Sequence, residues 1–438
     1  MPFEKIPGTD VDYGLMSFDA AGRERTDDPA GLMSRRLIEK TADEPITDVF
    51  FFNHGWHGDI TAAQDQYDRW IGAFITQGAD LERARAIFPM FQPLLVGLHW
   101  PSEPWGDEDI PSGNAFGVSA DTNPSSLLNG FATRLGDTPE IRRCLETILD
   151  EARGGAAAKQ LSTSARNAYL DLNGILGIGS AGVGAAPDAD RDSFDPDEIV
   201  KSGTSGPTNF GAFGFGGILA PLRVLSYWTM KKRARTIGEG GMHIFLKKLM
   251  TATVGRKTRI HLMGHSFGTI VVSGMLGGPN SDGTLPRPVE SLVLVQGAVS
   301  LWSYCQDIPF PAAGGGYFKR LLTDRKVSGP IVTTKSEYDH AVGILYPLAS
   351  KVRGAPDFVA GLPKFGGIGT FGIQGLKNAA EDSAMLTADR PYNFKGGKVY
   401  NLDGSQFISK MEGLSGAHND IAGPEVAHSI WESAFATR

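Results

Sequence analysis

Residues Gly264–Gly268 read GHSFG, a single serine framed by glycines two positions away on either side. No other stretch of the chain fits G-x-S-x-G. A serine hydroxyl attacks a carbonyl only when a base removes its proton and a third group orients that base. The pattern suits such work, because small residues let a strand turn abruptly into a helix. The turn lifts the hydroxyl clear, over the helix N-terminal amides. Ser266 is therefore a candidate nucleophile; the plain alternative is a serine in an ordinary tight turn. A second stretch, NHGWHGD (Asn53–Asp59), puts a glycine at the close of an apolar run, where the backbone can turn sharply. It reads either as part of a reactive site or as a strand-ending turn with a structural histidine. His54 and His57 have no compact set of further ligands beside them, so no metal site is expected.

The elements that must hold these residues are short and apolar. TRIHLMG (258–264) reads as a buried strand leading into Ser266. The TIVV that follows favours a strand through its β-branched residues, but the elbow requires a helix, and a helix is expected there. TDVFFFNHG (47–55) and PLLVGLHWP (93–101) read as two more buried strands with a helix between them, a β-α-β unit. VESLVLVQG (289–297), GPIVTTKS (329–336) and GKVYNLDG (397–404) continue the series. A terminal helix closes it, with Pro424 suited to its first turn. Strands alternating with helices predict an α/β protein with one mostly parallel sheet covered on both faces. The interval Pro101–Lys257 breaks this rhythm. It holds a Trp/Pro-rich loop, a helical segment near Thr138–Arg153, a Gly/Ala-rich run, an acidic patch (DADRDSFDPDE) and a Gly/Phe-rich stretch. The reading is a core of residues 1–100 and 218–438, an inserted cap over 101–217, and a smaller Gly-rich insertion over 353–376.

GHSFG between a buried strand and a helix, with HGW upstream, resembles the α/β-hydrolase superfamily, its serine esterases and lipases in particular. The likeness covers residues 47–100 and 258–438. It implies an α/β-hydrolase fold carrying a large inserted cap, and an oxyanion hole built from the backbone N–H groups of Trp56 and Phe267. It also implies a triad in the order serine, acid, histidine. Three histidines follow Ser266. His340 sits beside the candidate acid, and His428 lies within the terminal helix as a helix-face residue. His418, in the Gly-flanked loop GLSGAHNDIAGP after the last strand, is the expected base. Asp339, in the loop after GPIVTTKS, is the expected acid, with Glu337 and Asp307 as rivals. Substrate contacts are expected from His54, Gly55, His265, Trp105, Phe213 and Phe215. The implied reaction is hydrolysis of a small-molecule carboxylic ester, with an apolar acyl or aromatic part, through an acyl-serine. Acyl transfer, thioester or amide cleavage, and catalytically silent binding of a lipid or partner are alternatives on the same residues. Many members carry their cap after the strand that follows the nucleophile helix. Here that stretch, QGAVSLWSYCQDIPFPAAGGG, is short, and the large insertions sit elsewhere.

Bulk properties narrow the field. With 438 residues, 41% of them hydrophobic, the chain can bury a large core. A formal charge of −7 offers no footprint for nucleic acid. Two distant cysteines, Cys144 and Cys305, exclude a disulfide framework. The first twenty residues contain no apolar signal-type segment, and the longest uncharged stretch is broken by Gly and Pro, so no transmembrane segment and a cytoplasmic location are expected. GIGSAG (177–182) and GIGTFG (367–372) fit G-x-G-x-x-G without a preceding strand, so no dinucleotide is expected, nor any other cofactor or metal. DADRDSFDPDEI fails as a calcium loop, with Ser193 at the turn position and Ile199 at the twelfth; it reads as a solvated acidic loop. KKRAR (231–235) reads as the solvated face of a helix. Phe210, Phe213 and Phe215, and again Phe358, Phe365 and Phe371, are interleaved with glycines. They predict a mobile apolar cover over Ser266; the alternative is that they anchor the insertions to the core.

Overall fold

The computed structural model describes residues 3–27, 29–56, 60–102, 124–154, 160–205, 217–311, 314–350, 358–376 and 380–437. Two short strands that the apolar pattern does not predict, β1 (Phe3–Lys5) and β2 (Asp12–Ser17), open the chain. Then come α1 (Met33–Asp43), β3 (Asp48–Asn53), α2 (Ile60–Ile75), α3 (Gly78–Ile87) and β4 (Pro93–His99). The capping interval holds α4 (Pro124–Leu135), α5 (Pro139–Gly154), α6 (Thr163–Leu176) and α7 (Pro196–Ser205). A long helix, α8 (Ala220–Ile237), runs through a π-helical turn (Gly238–Met242) into α9 (His243–Ala252). The chain continues through β5 (Arg259–His265), α10 (Gly268–Gly277), β6 (Ser291–Val295), α11 (Arg320–Thr323), β7 (Ile331–Lys335) and α12 (Tyr346–Ser350). Last come the hairpin β8 (Phe358–Val359) and β9 (Leu362–Pro363), α13 (Ile368–Phe371), β10 (Ala380–Ala384), β11 (Val399–Asp403) and α14 (Pro424–Phe435).

Among the described residues nine strands form one sheet in the order β1-β2-β4-β3-β5-β6-β7-β11-β10. Only the β1–β2 pair is antiparallel. Both faces are covered, which is why the central strands read as unbroken apolar runs. In β3, Val49 and Phe51 enter one core cluster while Phe50 and Phe52 enter the other. In β6, Leu292 and Leu294 separate from Val293 and Val295 in the same way. Helices α1, α8, α9 and α10 cover the first face, and α2 and α14 the second. Trp431 of α14 stacks on Phe74 of α2 with ring centroids 4.2 Å apart.

Every residue of α10 is buried, so it is a helix lying wholly inside the fold. Its Thr-Ile-Val-Val run disfavours a helix by a few tenths of a kcal/mol per residue. Burying each apolar side chain contributes about 1.5–3 kcal/mol, which decides the outcome. No helix among the described residues is long and apolar enough to cross a membrane.

The capping interval departs from its sequence reading. One helix is predicted near Thr138–Arg153, and α5 occupies that place, but α4, α6 and α7 are helical as well. The Gly/Ala-rich run conceals a capped helix. Ser162 accepts a hydrogen bond from the Ala165 amide at 3.2 Å, and Gly177, at φ 57°, ends α6. Nor is the acidic patch solvated. Asp188, Asp190 and Arg191 are buried, and Arg235 grips Asp188 with two nitrogens at 2.6 and 3.0 Å. The KKRAR segment is not a solvated face either, since Lys231 has no exposed surface at all. Charged residues inside a fold need partners, and partners brought from distant parts of a chain leave no local pattern. Cys144 and Cys305 are free and buried.

Candidate active site

The parallel register gathers strand ends at one edge of the sheet. Asn53 at the end of β3 lies opposite Gly264 of β5, and His265 lies opposite Val295 at the end of β6. Residues that follow these ends therefore emerge side by side, at the edge where α/β sheets bind ligands.

Ser266 stands between β5 and α10 with φ 54°. A non-glycine residue in that conformation stores about 1–3 kcal/mol and persists only when its surroundings hold it. They do. The Ser266 amide donates to the Val295 carbonyl at 3.1 Å, and its own carbonyl accepts from the Ala298 amide (3.1 Å) and the Thr269 hydroxyl (2.6 Å). The framing glycines are required by contact. A Cβ on Gly264 would lie 2.5 Å from the Gly268 carbonyl oxygen, and one on Gly268 would lie 2.2 Å from that of Asn53. A Cβ on Gly55 would come within 2.4 Å of Ser266 Cβ, so the turn after β3 presses directly on the nucleophile position. Tyr67 of α2 fastens that turn. Its hydroxyl accepts from the His54 amide at 2.9 Å and donates to the Leu98 carbonyl at 2.5 Å.

Asp339 lies in the loop after β7, buried and surrounded by donors. His418 Nδ1 and Gln296 Nε2 reach Oδ2 at 2.9 and 3.1 Å, and the Val342 amide reaches Oδ1 at 3.0 Å. Gly369 of α13 leaves room for this carboxylate, since a Cβ there would lie 2.9 Å from Oδ2. The loop of His418 is tied to that of Asp339 by the Ala417 amide, which donates to the Tyr338 carbonyl at 2.8 Å. With a carboxylate at Nδ1, His418 carries its proton there and presents Nε2 as a base. His265 sets the backbone of His418. Its Nε2 faces the His418 carbonyl at 2.9 Å and must donate, so Nδ1 accepts from the Gln66 amide at 3.0 Å. The rings of His265 and His418 are 4.9 Å apart. Among the described residues the Ser266 hydroxyl has no hydrogen-bond partner, and such links commonly tighten only around a substrate.

The structure thus brings together Ser266, Gly55, His265, Asp339 and His418. Glu337 and Asp307 are exposed. His428 is no solvent-facing helix residue: it is buried, between Asp80 (2.8 Å) and the Arg390 carbonyl (3.0 Å). Trp56 and Phe267 stack at 5.7 Å, and the Phe267 amide, at the N-terminus of α10, has no acceptor among the described residues. His54 is fully buried, with Nδ1 against the Gly55 carbonyl and Nε2 against the Trp100 amide. His54 and His265 are positioning residues here, not side chains open to a substrate. Trp105, Phe210, Phe213, Phe215 and His57 lie outside the described residues. In the second insertion Phe365 belongs to the main core and Phe371 packs on the Leu301–Trp302 cluster, so these two anchor it, while Phe358 is exposed.

Asp80, His428 and Glu432 are the one group of metal-ligand type found among the described residues. Both imidazole nitrogens there already have protein partners, and Glu432 pairs with Arg83. Gln296 is a functional neighbour that motif reasoning passes over. Its signal is positional, a polar residue directly after a buried strand at the same sheet edge, with φ 45°. Comparison with family models, with curated proteins and with solved structures returns no match.

Proposed function

We propose that this chain is a serine hydrolase of the α/β-hydrolase kind that cleaves carboxylic esters through an acyl-serine intermediate. The observation that carries this reading is Ser266, held at φ 54° on a strand-to-helix elbow beside a buried Asp339–His418 pair. Ser266 Oγ bonds to the ester carbonyl carbon while its proton passes to His418 Nε2. Charge that develops on the carbonyl oxygen meets the Phe267 and Trp56 amides at the start of α10 and the end of the β3 turn. The carbon–alkoxy bond then breaks, and the proton on His418 leaves with the alcohol. Water attacks the acyl-serine, gives a proton to His418, and releases the acid as that proton returns to Ser266. Asp339 keeps its charge throughout and stabilises the imidazolium. The aromatic rings of Trp56 and Phe267 suit an ester whose acyl group is apolar next to the carbonyl.

Active-site labelling tests the reading. A fluorophosphonate is expected to modify the wild-type chain at Ser266, and Ser266→Ala is expected to abolish labelling. The same variant should lower kcat on a nitrophenyl ester by roughly 10⁴–10⁶-fold with the fold intact. A folded wild-type protein that neither labels nor turns over would point to a silent binding protein and end the proposal.

A further inference from the structure

Helix α8 places a lysine where lysines are rarely found. Lys231 Nζ is fully buried and has no hydrogen-bond partner among the described residues. It lies 3.8 Å from the Tyr346 ring centroid, 4.6 Å from that of Trp228 and 5.6 Å from that of Tyr227. Aromatic faces attract a cation, but they do not replace the hydrogen bonds an ammonium makes in water. The nearest carboxylate does not supply them. Asp190 accepts from the Gly184 amide at 2.6 Å and from the hydroxyls of Tyr346 and Ser300.

The Tyr227 hydroxyl is likewise buried and without a partner. Its ring packs edge-on against Phe267, 5.2 Å away, and against Trp56, 5.9 Å away. Phe267 follows Ser266 directly, and Trp56 follows Gly55, whose added Cβ would touch Ser266. Tyr227 therefore touches the Ser266 elbow through Phe267 on one side and the Lys231 ammonium on the other. The aromatic wall of the reacting centre thus runs from Trp56 and Phe267 through Tyr227 to an ammonium. Lys231 offers three N–H donors and Tyr227 one O–H, all unused. A donor-only site with a positive charge is complementary to a carboxylate.

We propose that Lys231 and Tyr227 form an anion-binding subsite for a carboxylate carried at the far end of the substrate's acyl group. The substrate class is then the monoester of an aliphatic dicarboxylic acid, apolar near the ester and charged at its tip. Asp190 is the charge that opposes such a ligand; burial pushes its carboxyl up to about 6, with Lys231 and its three donors acting against the shift. Burial pushes the Lys231 ammonium down to about 7, with Asp190 and Asp188 acting against the shift. A bound carboxylate would restore the charged form.

The inference rests on the serine-hydrolase reading, and the test separates the two. We would measure kcat/KM for p-nitrophenyl butyrate and for the acid-terminated p-nitrophenyl esters of succinate, glutarate and adipate. The wild-type protein is expected to prefer one acid-terminated ester over the neutral one. Lys231→Met should reduce that preference ratio about 10–100-fold, and Tyr227→Phe about 3–10-fold, the range for losing a hydrogen bond to a charged or a neutral group. Preference for the neutral ester over every acid-terminated one, or variants that scale both ester types equally, would overturn the subsite while leaving the hydrolase reading intact. No turnover of any ester together with no fluorophosphonate labelling would remove both. If Lys231→Met does not fold, the wild-type ratio and the milder Tyr227→Phe still decide.

Discussion

Of three buried aspartate–histidine pairs among the described residues, Asp48–His261 is made through Nε2 within the sheet, and the two made through Nδ1 occupy different parts of the molecule. Asp339 and His418 meet at 2.9 Å at the carboxyl edge of the sheet; Asp80 and His428 meet at 2.8 Å between α3 and α14. Each uses Nδ1, and both carboxylates are buried. The difference lies at the other nitrogen. His428 Nε2 faces the Arg390 carbonyl, so both ring nitrogens donate and the imidazolium is favoured. Burial alone would lower its pKa, but the hydrogen bonds to Asp80 and Arg390 prevail and hold it above the ordinary histidine value. His418 Nε2, by contrast, has no hydrogen-bond partner among the described residues, and its loop meets the elbow through His265. An aspartate–histidine pair is therefore no mark of catalysis by itself. A pair with both nitrogens engaged is a clasp, and a pair with one nitrogen open is available to act as a base.

The largest effect that separates the pairs is on rate. Asp339→Asn should lower kcat by up to roughly 10⁴-fold, because the imidazole loses its orienting charge and takes the wrong tautomer. Asp80→Asn should leave kcat within about threefold of wild type and lower the melting temperature instead, through loss of a charge-assisted hydrogen bond. Equal losses of rate from both would erase the distinction. Next in size is Gly268→Ala. Its Cβ would lie 2.2 Å from the Asn53 carbonyl, a backbone atom that cannot rotate away. A loss of more than about 3 kcal/mol in denaturant unfolding is expected, in the range of severe overpacking. Gly174→Ala is the contrast: nothing lies within 4 Å of the added Cβ. It sits in α6, where alanine should gain about 0.5–1 kcal/mol.

The smallest effect is a pH signature of the clasp. Because the folded-state pKa of His428 is raised, the folded protein holds that proton more tightly than the unfolded chain. Its stabilisation is fully present below the unfolded value of about 6.5 and fades as pH rises through the folded value. Between pH 5 and pH 8, the melting-temperature gap between wild type and His428→Gln should be widest at the acid end, where it corresponds to about 1 kcal/mol. A gap that widens toward pH 8 would mean that the pair is neutral.

What is legible in the sequence follows physical lines. Six strands of the sheet announce themselves because a strand covered on both faces must be apolar throughout. The elbow is legible because two backbones approach too closely for any Cβ at Gly264 or Gly268. Asp339 and His418 follow from their places after β7 and β11, whereas Gln296, which braces Asp339, carries no motif. Strands β1, β2 and β10 offer no unbroken apolar run: β1 and β10 carry few apolar residues and lie at the two margins of the sheet, and Gly14 interrupts β2. Lys231 reads as solvated although three aromatic rings enclose it, and Asp188 and Asp190 read as solvated because charge predicts exposure unless partners intervene. Here Arg235 meets Asp188 across 47 positions, and Tyr346 meets Asp190 across 156. Local composition carries no trace of either meeting.

The pairing of β3 with β5 has a consequence for how the chain can change. Those neighbours, in register from Asp48–Arg259 to Asn53–Gly264, are joined through β4 and the whole capping interval. Closing a long loop costs entropy that grows only with the logarithm of its length, about 0.6 kcal/mol for each doubling. Burial of Trp228, a single residue of α8, outweighs that several times over. Residues 101–217 could therefore be shortened or extended over generations with little effect on whether the sheet assembles, provided α8 remains to receive them. The length of that interval is free to drift, and the reach of the proposed acyl site could drift with it.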